Sequence, residues 1–251
     1  MNILSYTIPA RIVYCYIFVI GMCLGSFFMV AGYRIPRKET LMGRSHCENC
    51  QQELVWWQLI PVVSYVFLKG KCKYCASKIG AAAPVFEILA GLLFMAVAIV
   101  FNLSPEVMVG WTLLSLLLII SVSDALYQII PNKVLLPFFI AAILERVIIP
   151  QNDYWWYSLA GFLVGFVPLY ILGELSKNGM GGGDIKLFAV LGIFLGPLQV
   201  FLSLFLSAVI ALVFAIILSI YKKEKQKYIP FGPFIAISSV LVYLLSAVLA
   251  G

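Results

Sequence analysis

Long apolar runs recur along the whole chain, and their length constrains what it can fold into. A transmembrane helix needs about 20 mostly apolar residues. Such runs predict spans near 12–33, 82–102, 107–125, 129–149, 156–175 and 231–250. The apolar stretch 185–221 is too long for one crossing and is interrupted at Gly196-Pro197, so it predicts a short sixth span and a seventh. We therefore expect an all-α polytopic integral membrane protein with about eight transmembrane helices.

The positions of Lys and Arg predict the orientation in the lipid bilayer. Of the 17 basic residues, all except Arg11 and Arg146 fall on one side of the predicted spans. Because cytoplasmic loops are enriched in Lys and Arg, that side is predicted to be cytoplasmic and both termini to lie outside. The first span lacks the features of a cleavable signal peptide, so we expect it to stay as a span. The net charge of +6 then reflects topology, and nothing in the pattern predicts nucleic-acid binding.

The loop between the first two predicted spans contains two CxxC pairs, which are Cys47, Cys50, Cys72 and Cys75. Two such pairs can converge on one tetrahedral Zn²⁺, and four thiolates leave no open position, so the site would be structural. Two disulfides or redox-active thiols are the alternative, which a reducing cytoplasmic loop disfavours. We expect His46, the only histidine, to be a solvated neighbour of this site. Cys15 and Cys23, within the first span, are expected to pack as small apolar residues.

Carboxylates are the remaining candidates for chemistry inside the membrane, where an acidic side chain is costly and marks function by default. The candidates are Glu87, Asp124, Glu174 and Asp184. The predicted topology places Asp124 at the cytoplasmic end of the third span and Asp184 at the cytoplasmic start of the sixth. Two aspartates at the same depth can share one proton, with one acting as base toward water and the other as acid toward a carbonyl. This is the chemistry of an aspartic peptidase.

Three consecutive glycines precede Asp184 in the segment GMGGGDIKL, 179–187. Glycine adopts backbone conformations closed to other residues and lets another chain approach closely. An alternative is that Asp184 only caps the helix that follows, although a cap does not require three glycines. Lys186 has two readings of equal weight, as a partner of a carboxylate or substrate carbonyl and as a positively charged anchor on the cytoplasmic side.

The chain resembles the type IV prepilin leader peptidases, the GxGD family of intramembrane aspartic proteases, along nearly its whole length. The resemblance rests on GSFFMVAGYRIPR (25–37), GRSHCENC (43–50), LIPVVSY (59–65), KGKCKYC (69–75), APVFEILAG (83–91), DALYQIIPNKVLLP (124–137), MGGGDIKLFAVLGIFLGP (180–197) and IPFGPFIA (229–236). It implies that Asp124 and Asp184 are the catalytic pair and that Gly181 and Gly183 are the motif glycines. The implied substrates are prepilins or pseudopilins, which lose a short basic leader ahead of a hydrophobic helix.

Many members of this family also methylate the new N-terminus with S-adenosylmethionine, and the resemblance implies the same here. Glu87 is the acid best placed for that activity, although it could equally be an interfacial partner of Lys or Arg. Three departures remove polar groups on that side, at Met29, Leu59 and Ala81–Pro84, and Asn132 replaces a common Asp. We divide the chain into a first span (1–33), a cytoplasmic zinc-binding loop associated with methylation (34–81) and a membrane-embedded peptidase domain (82–251).

Two other classes of function compete with this interpretation. A carboxylate-coupled transporter would use the acids to bind ions and would predict an inverted repeat, which the sequence does not display. A structural component of a secretion machine would leave the glycines and the paired acids unexplained. The oligomeric state does not follow from the sequence.

Overall fold

The computed structural model describes residues 10–152, 154, 156–175, 181–221 and 229–250, and these fold into helices and connecting loops. In chain order the helices are α1 (Ala10–Arg34), α2 (Val63–Phe67), α3 (Ala82–Val100), α4 (Glu106–Tyr127), α5 (Asn132–Ile148), α6 (Tyr157–Leu175), α7 (Gly182–Leu195), α8 (Pro197–Tyr221) and α9 (Gly232–Ala250). All except the short α2 coincide with predicted spans, so the all-helical fold is confirmed.

Six of these helices, namely α1, α3, α4, α6, α8 and α9, are long and apolar enough to cross a membrane. Helix α5 has 17 residues and α7 has 14, so the count of eight spans stays a prediction. The predicted break between the sixth and seventh spans is confirmed. Helix α7 ends at Leu195, Gly196 takes a φ of 81°, and Pro197 begins α8, where its missing N–H costs nothing.

Several basic residues used for the predicted orientation lie outside the part of the chain that the structure describes. They are Lys177, Lys222, Lys223, Lys225 and Lys227.

Helices α4 and α7 form the centre of the bundle. Helix α4 contacts α1, α3, α5, α7 and α9, and α7 contacts α4, α5, α6, α8 and α9. Side chains along both are fully buried, among them Leu117 and Ile120 on α4 and Phe188 and Leu191 on α7. The outer helices α1, α6 and α8 instead expose many large apolar side chains, as expected for helices in contact with lipid. The two central helices are also those that carry Asp124 and Asp184.

Small residues let neighbouring helices approach closely, as is common in membranes. A Cβ atom added to Gly25 of α1 would lie 2.6 Å from the Cβ of Ala90 on α3. Cys15 and Cys23, which were predicted to pack as small apolar residues, both have exposed side chains.

The connection between α1 and α3 is mostly irregular and is anchored where it leaves the membrane. The buried guanidinium of Arg34, the last residue of α1, donates hydrogen bonds to the carbonyl oxygens of Gly43 at 2.7 Å and of Thr40 and Arg44 at 3.3 Å. One side chain thus fixes the path of the loop that leads to the cysteine pairs.

Candidate active site and metal centre

Asp124 occupies the last turn of α4 and is almost fully buried, with 6% of its surface exposed. Its Oδ2 atom accepts a hydrogen bond of 2.6 Å from the backbone N–H of Gly232, the first residue of α9. Helix α4 ends immediately afterwards, because Gln128 takes a left-handed conformation, and Ser123 Oγ donates to the carbonyl oxygen of Ile129. The carboxylate is therefore held between two helices at a fixed point.

Asp184 lies in the first turn of α7 and is partly exposed. The N-cap position belongs to Gly181, whose carbonyl oxygen accepts from Asp184 N at 3.0 Å. Asp184 therefore does not cap this helix, although a carboxylate in the first turn interacts favourably with the helix dipole.

Two of the three glycines before Asp184 lie close to other side chains. A Cβ atom on Gly181 would lie 2.9 Å from Asp184 Oδ2, and one on Gly183 would lie 2.9 Å from the Cβ of Ile130. Gly182 has no such neighbour within 4 Å. The alternating pattern Gly-x-Gly-Asp thus has a steric explanation: one glycine leaves room for the carboxylate itself, and the other lets α7 approach the segment after α4.

The two aspartates face the same region of the bundle. Helices α4 and α7 touch, and the carboxylates of Asp124 and Asp184 are close enough to interact electrostatically. Gly183, the residue before Asp184, lies close to Ile130, which is six residues after Asp124. Lys186 is exposed, and its Nζ donates to Asn132 Oδ1 at 3.2 Å. The partner of Lys186 is thus a side-chain amide, whereas the sequence analysis considered a carboxylate or a substrate carbonyl.

The four loop cysteines converge on one point, and their Sγ atoms all lie within 4.8 Å of one another. The two pairs are built alike. The carbonyl oxygen of Cys47 accepts a hydrogen bond from Gln51 N at 2.9 Å, and that of Cys72 accepts one from Ala76 N at 3.0 Å. The two donor residues have nearly equal φ values, 56° for Gln51 and 55° for Ala76. Each pair therefore forms the same tight knuckle, and the two knuckles face each other.

The residues present fit a tetrahedral thiolate-bound metal. Zn–S bonds of about 2.3 Å imply S···S distances of about 3.8 Å in a tetrahedron, and the Sγ atoms of Cys47 and Cys75 are 3.9 Å apart. The hydroxyl of Ser77, 3.1 Å from Cys75 Sγ, is the main cause that lowers the pKa of this thiol to about 6, and the thiolate is the form that binds metal. His46 is exposed and outside the cluster.

Glu87 is buried near the start of α3, with 7% of its surface exposed. Its Oε2 atom accepts a hydrogen bond of 2.8 Å from Val62 N. Val62 has a φ of 60°, which is rare for a β-branched residue and costs energy. Glu87 therefore fastens a strained point of the loop to α3, and none of the ion pairs found in the described ranges involves it.

The comparisons with known proteins identify the family. Residues 111–216 match the type IV leader peptidase family, and residues 19–101 match the bacterial peptidase A24 N-terminal domain. A Bacillus subtilis protein named prepilin leader peptidase/N-methyltransferase is 38% identical over 91% of this chain and 92% of its own length. The chain belongs to the type IV leader peptidase family.

Two further relatives of this peptidase-family chain have similar names and coverage. A Neisseria gonorrhoeae protein, also named prepilin leader peptidase/N-methyltransferase, is 30% identical over 90% of this chain and 88% of its own length. An Escherichia coli type 4 prepilin-like proteins leader peptide-processing enzyme is 30% identical over 90% and 92%. No solved structure matches at the same level of significance. Six apolar helices and the family together indicate a multi-pass protein of the bacterial inner (plasma) membrane.

The departures from the family pattern fall in apolar or exposed surroundings. Met29 and Ala82 line an apolar cavity of about 510 Å³, together with residues of α4 and α9 such as Leu118 and Ile237. Leu59 is exposed on the short 3-10 turn before α2. Asn132 binds Lys186, as described above. Met29 therefore agrees with its largely apolar local environment.

Two features of this peptidase-family fold escaped the sequence reasoning. The first is Gly232, whose N–H holds Asp124. The second is Arg146, which the sequence indicates only as an exception to the charge pattern. Its buried guanidinium pairs with Glu106 at 2.9 Å and donates to the carbonyl oxygen of Phe194 near the end of α7. A basic residue against the charge pattern, two positions before the last residue of its helix, was the one available signal.

Proposed function

We propose that this protein is an intramembrane aspartic endopeptidase that removes the basic leader of type IV prepilins or pseudopilins, with Asp124 and Asp184 as its catalytic residues. The proposal is supported by the position of the two carboxylates at adjoining ends of the two central helices, close enough to interact electrostatically, in a chain that belongs to this peptidase family. The names of the relatives supply the class of substrate.

The two carboxylates can perform hydrolysis together. The ionised one takes a proton from a water molecule while the water oxygen bonds to the scissile carbonyl carbon. The protonated one gives its proton to the carbonyl oxygen, so the tetrahedral intermediate is neutral. When the C–N bond breaks, a proton passes to the leaving nitrogen, and the products are a leader with a new carboxyl end and a pilin with a new amino end.

The buried hydrogen bond from Gly232 N gives the two aspartates different surroundings. It holds one oxygen of Asp124 in a fixed position. Asp184 is less buried and lies next to Gly181, where water and an extended substrate can approach. We therefore assign Asp124 the part of the fixed base and Asp184 the part of the acid in the first step.

We also propose that the active site and the cysteine loop lie on the cytoplasmic side and that the loop holds Zn²⁺ as a structural ion. The loop's exposed basic residues support this orientation through the positive-inside rule. The division into the first span, the metal loop and the peptidase domain belongs to the same proposal.

Methylation of the new N-terminus with S-adenosylmethionine is the second activity in the proposal, and its support is the name shared by the relatives. For Glu87 the geometry favours a positioning role, because its Oε2 atom is engaged by Val62 N.

The test is co-expression with a candidate prepilin, followed by mass spectrometry of the pilin N-terminus. The wild type should remove the leader, whereas Asp124→Asn and Asp184→Asn should leave it in place. A methyl group on the new amine would support the second activity. Cleavage by either variant at the wild-type rate would refute the two-aspartate mechanism, and it would return the transporter and the structural component to consideration.

A further inference from the structure

The loop segment 56–67 has an apolar face that points away from the protein. The segment contains two short helices, the 3-10 turn Trp56–Leu59 and α2. Each large exposed side chain in its first half has a counterpart seven residues later in its second half. We call this set the outward face: Trp56, Leu59, Ile60, Val63, Val66 and Phe67. Their exposed fractions run from 38% for Ile60 to 79% for Phe67.

The amide side chain on the same segment points inward. Gln58 is buried, with 7% of its surface exposed, and its Oε1 atom accepts a hydrogen bond from Val55 N at 2.9 Å. In a water-exposed loop the apolar side chains would be expected inside and the glutamine outside. The arrangement is the reverse, and an exposed apolar patch of this kind marks a surface that is covered by something else.

The depth of the segment is fixed by Glu87. Val62, in the middle of the segment, donates its N–H to Glu87 on α3. Glu87 is five residues after Ala82, the first residue of α3, which corresponds to about 7.5 Å along the helix axis. The segment is therefore held beside the first turns of a helix that is long and apolar enough to span a membrane.

The charges next to the outward face complement an anionic lipid surface. Lys69, Lys71 and Lys73 follow the segment directly and are exposed, and Lys73 Nζ lies 5.0 Å from the ring centre of Trp57. Lysines beside exposed Trp and Phe are typical of segments that lie in the membrane interface. Each such lysine near an anionic leaflet contributes about 1 kcal/mol.

We propose that segment 56–67 is a membrane-interface anchor whose outward face inserts into the headgroup and upper acyl region of the leaflet on the loop's side, and that its partner is anionic phospholipid. The anchor presses the metal-binding knuckles against the membrane surface and sets their position relative to α3. This inference depends on the membrane setting and not on the peptidase activity, so the two can fail separately.

Tryptophan fluorescence provides the test on the purified full-length protein. The protein is placed in nanodiscs of phosphatidylcholine and phosphatidylglycerol, with bromine atoms on the acyl chains either near the headgroup or near the chain end. The contribution of Trp56 is the difference between the parent protein and Trp56→Phe, and Trp57→Phe is the matched control. Bromines near the headgroup should quench the Trp56 emission more strongly than deep bromines, and aqueous acrylamide should quench it weakly.

A second variant links the result to the outward face. Val66→Ser combined with Phe67→Ser should lower the bromine quenching of Trp56 and raise its quenching by acrylamide, with the metal content unchanged as evidence of a folded loop. Strong acrylamide quenching of Trp56 in the parent would overturn the proposal. Protection from both quenchers would also overturn it, because the outward face would then be covered by protein, such as a second copy of the chain.

Discussion

Gly232→Ala tests whether the fixed position of Asp124 matters for function. Gly232 N donates to Asp124 Oδ2 at 2.6 Å, and a Cβ atom on Gly232 would lie 2.8 Å from Asp124 Cβ and 2.9 Å from Oδ2. Contacts below 3.0 Å are essentially never observed for real Cβ atoms. Because Asp124 is buried on the central helix α4, either the start of α9 must move or the carboxylate must rotate, and both lengthen the hydrogen bond.

The expected loss follows from the two interactions that the methyl group disturbs. Overpacking at a buried site costs about 1–3 kcal/mol, and a hydrogen bond to a charged group contributes about 1.5–3 kcal/mol. If about 1.5–3 kcal/mol of this is lost in the transition state, kcat/KM falls roughly 10- to 100-fold. The loss should be smaller than that of Asp124→Asn, because Gly232→Ala leaves both carboxylates present.

The assay is the initial rate of prepilin cleavage by purified protein, with the thermal unfolding midpoint measured in parallel. Gly182→Ala is the matched control, since the same methyl group there meets no atom within 4 Å and lies two residues from Asp184. It should cleave at nearly the wild-type rate. The reasoning is refuted if Gly232→Ala cleaves as fast as the wild type, or if Gly182→Ala loses as much activity.

Three other outcomes follow from the structure. Arg146→Leu removes the basic partner of Glu106 in the bundle, a change that costs about 3–5 kcal/mol of stability. The thermal unfolding midpoint should therefore fall by roughly 10 °C. The double variant Arg146→Leu, Glu106→Leu should recover part of this loss. Cys72→Ser, or removal of the metal by a chelator, should reduce the bound metal from one equivalent to none and make the loop sensitive to protease, and an unchanged digestion pattern would contradict a structural ion. Glu87→Gln keeps an acceptor for Val62 N and should preserve loop order, whereas Glu87→Ala should expose the loop to protease. If Glu87→Gln abolished methylation with the loop intact, the carboxylate would have a chemical role.

The sequence predicts the helices well, because membrane insertion depends on local hydrophobicity along a continuous run. The break at Gly196-Pro197 is also encoded locally, since proline is favoured at the first position of a helix. Spacing alone also indicates the metal cluster, because two CxxC knuckles have few other ways to be satisfied. These features share one property: each is encoded within a short stretch of chain.

Contacts between distant parts of the chain are less accessible to sequence reasoning. Gly232 is 108 residues from Asp124, and no local pattern connects them. Glu87 accepts its hydrogen bond from Val62, whose φ of 60° is a value that β-branched residues rarely adopt. The outward face of segment 56–67 is similar, because an apolar pattern indicates burial without telling whether protein or lipid covers it.

The exceptional position of Arg146 explains how α7 is held. Its guanidinium is buried, pairs with Glu106 at the start of α4 and binds the carbonyl oxygen of Phe194 near the C-terminal end of α7, where a cation is favoured by the helix dipole. The opposite end of α7 carries Asp184, ten residues from Phe194, or about 15 Å along the axis. Since a slip of one helical turn would move Asp184 by about 5.4 Å, well beyond hydrogen-bond reach, the contact at Phe194 helps to set the register of the two aspartates from the opposite end of α7.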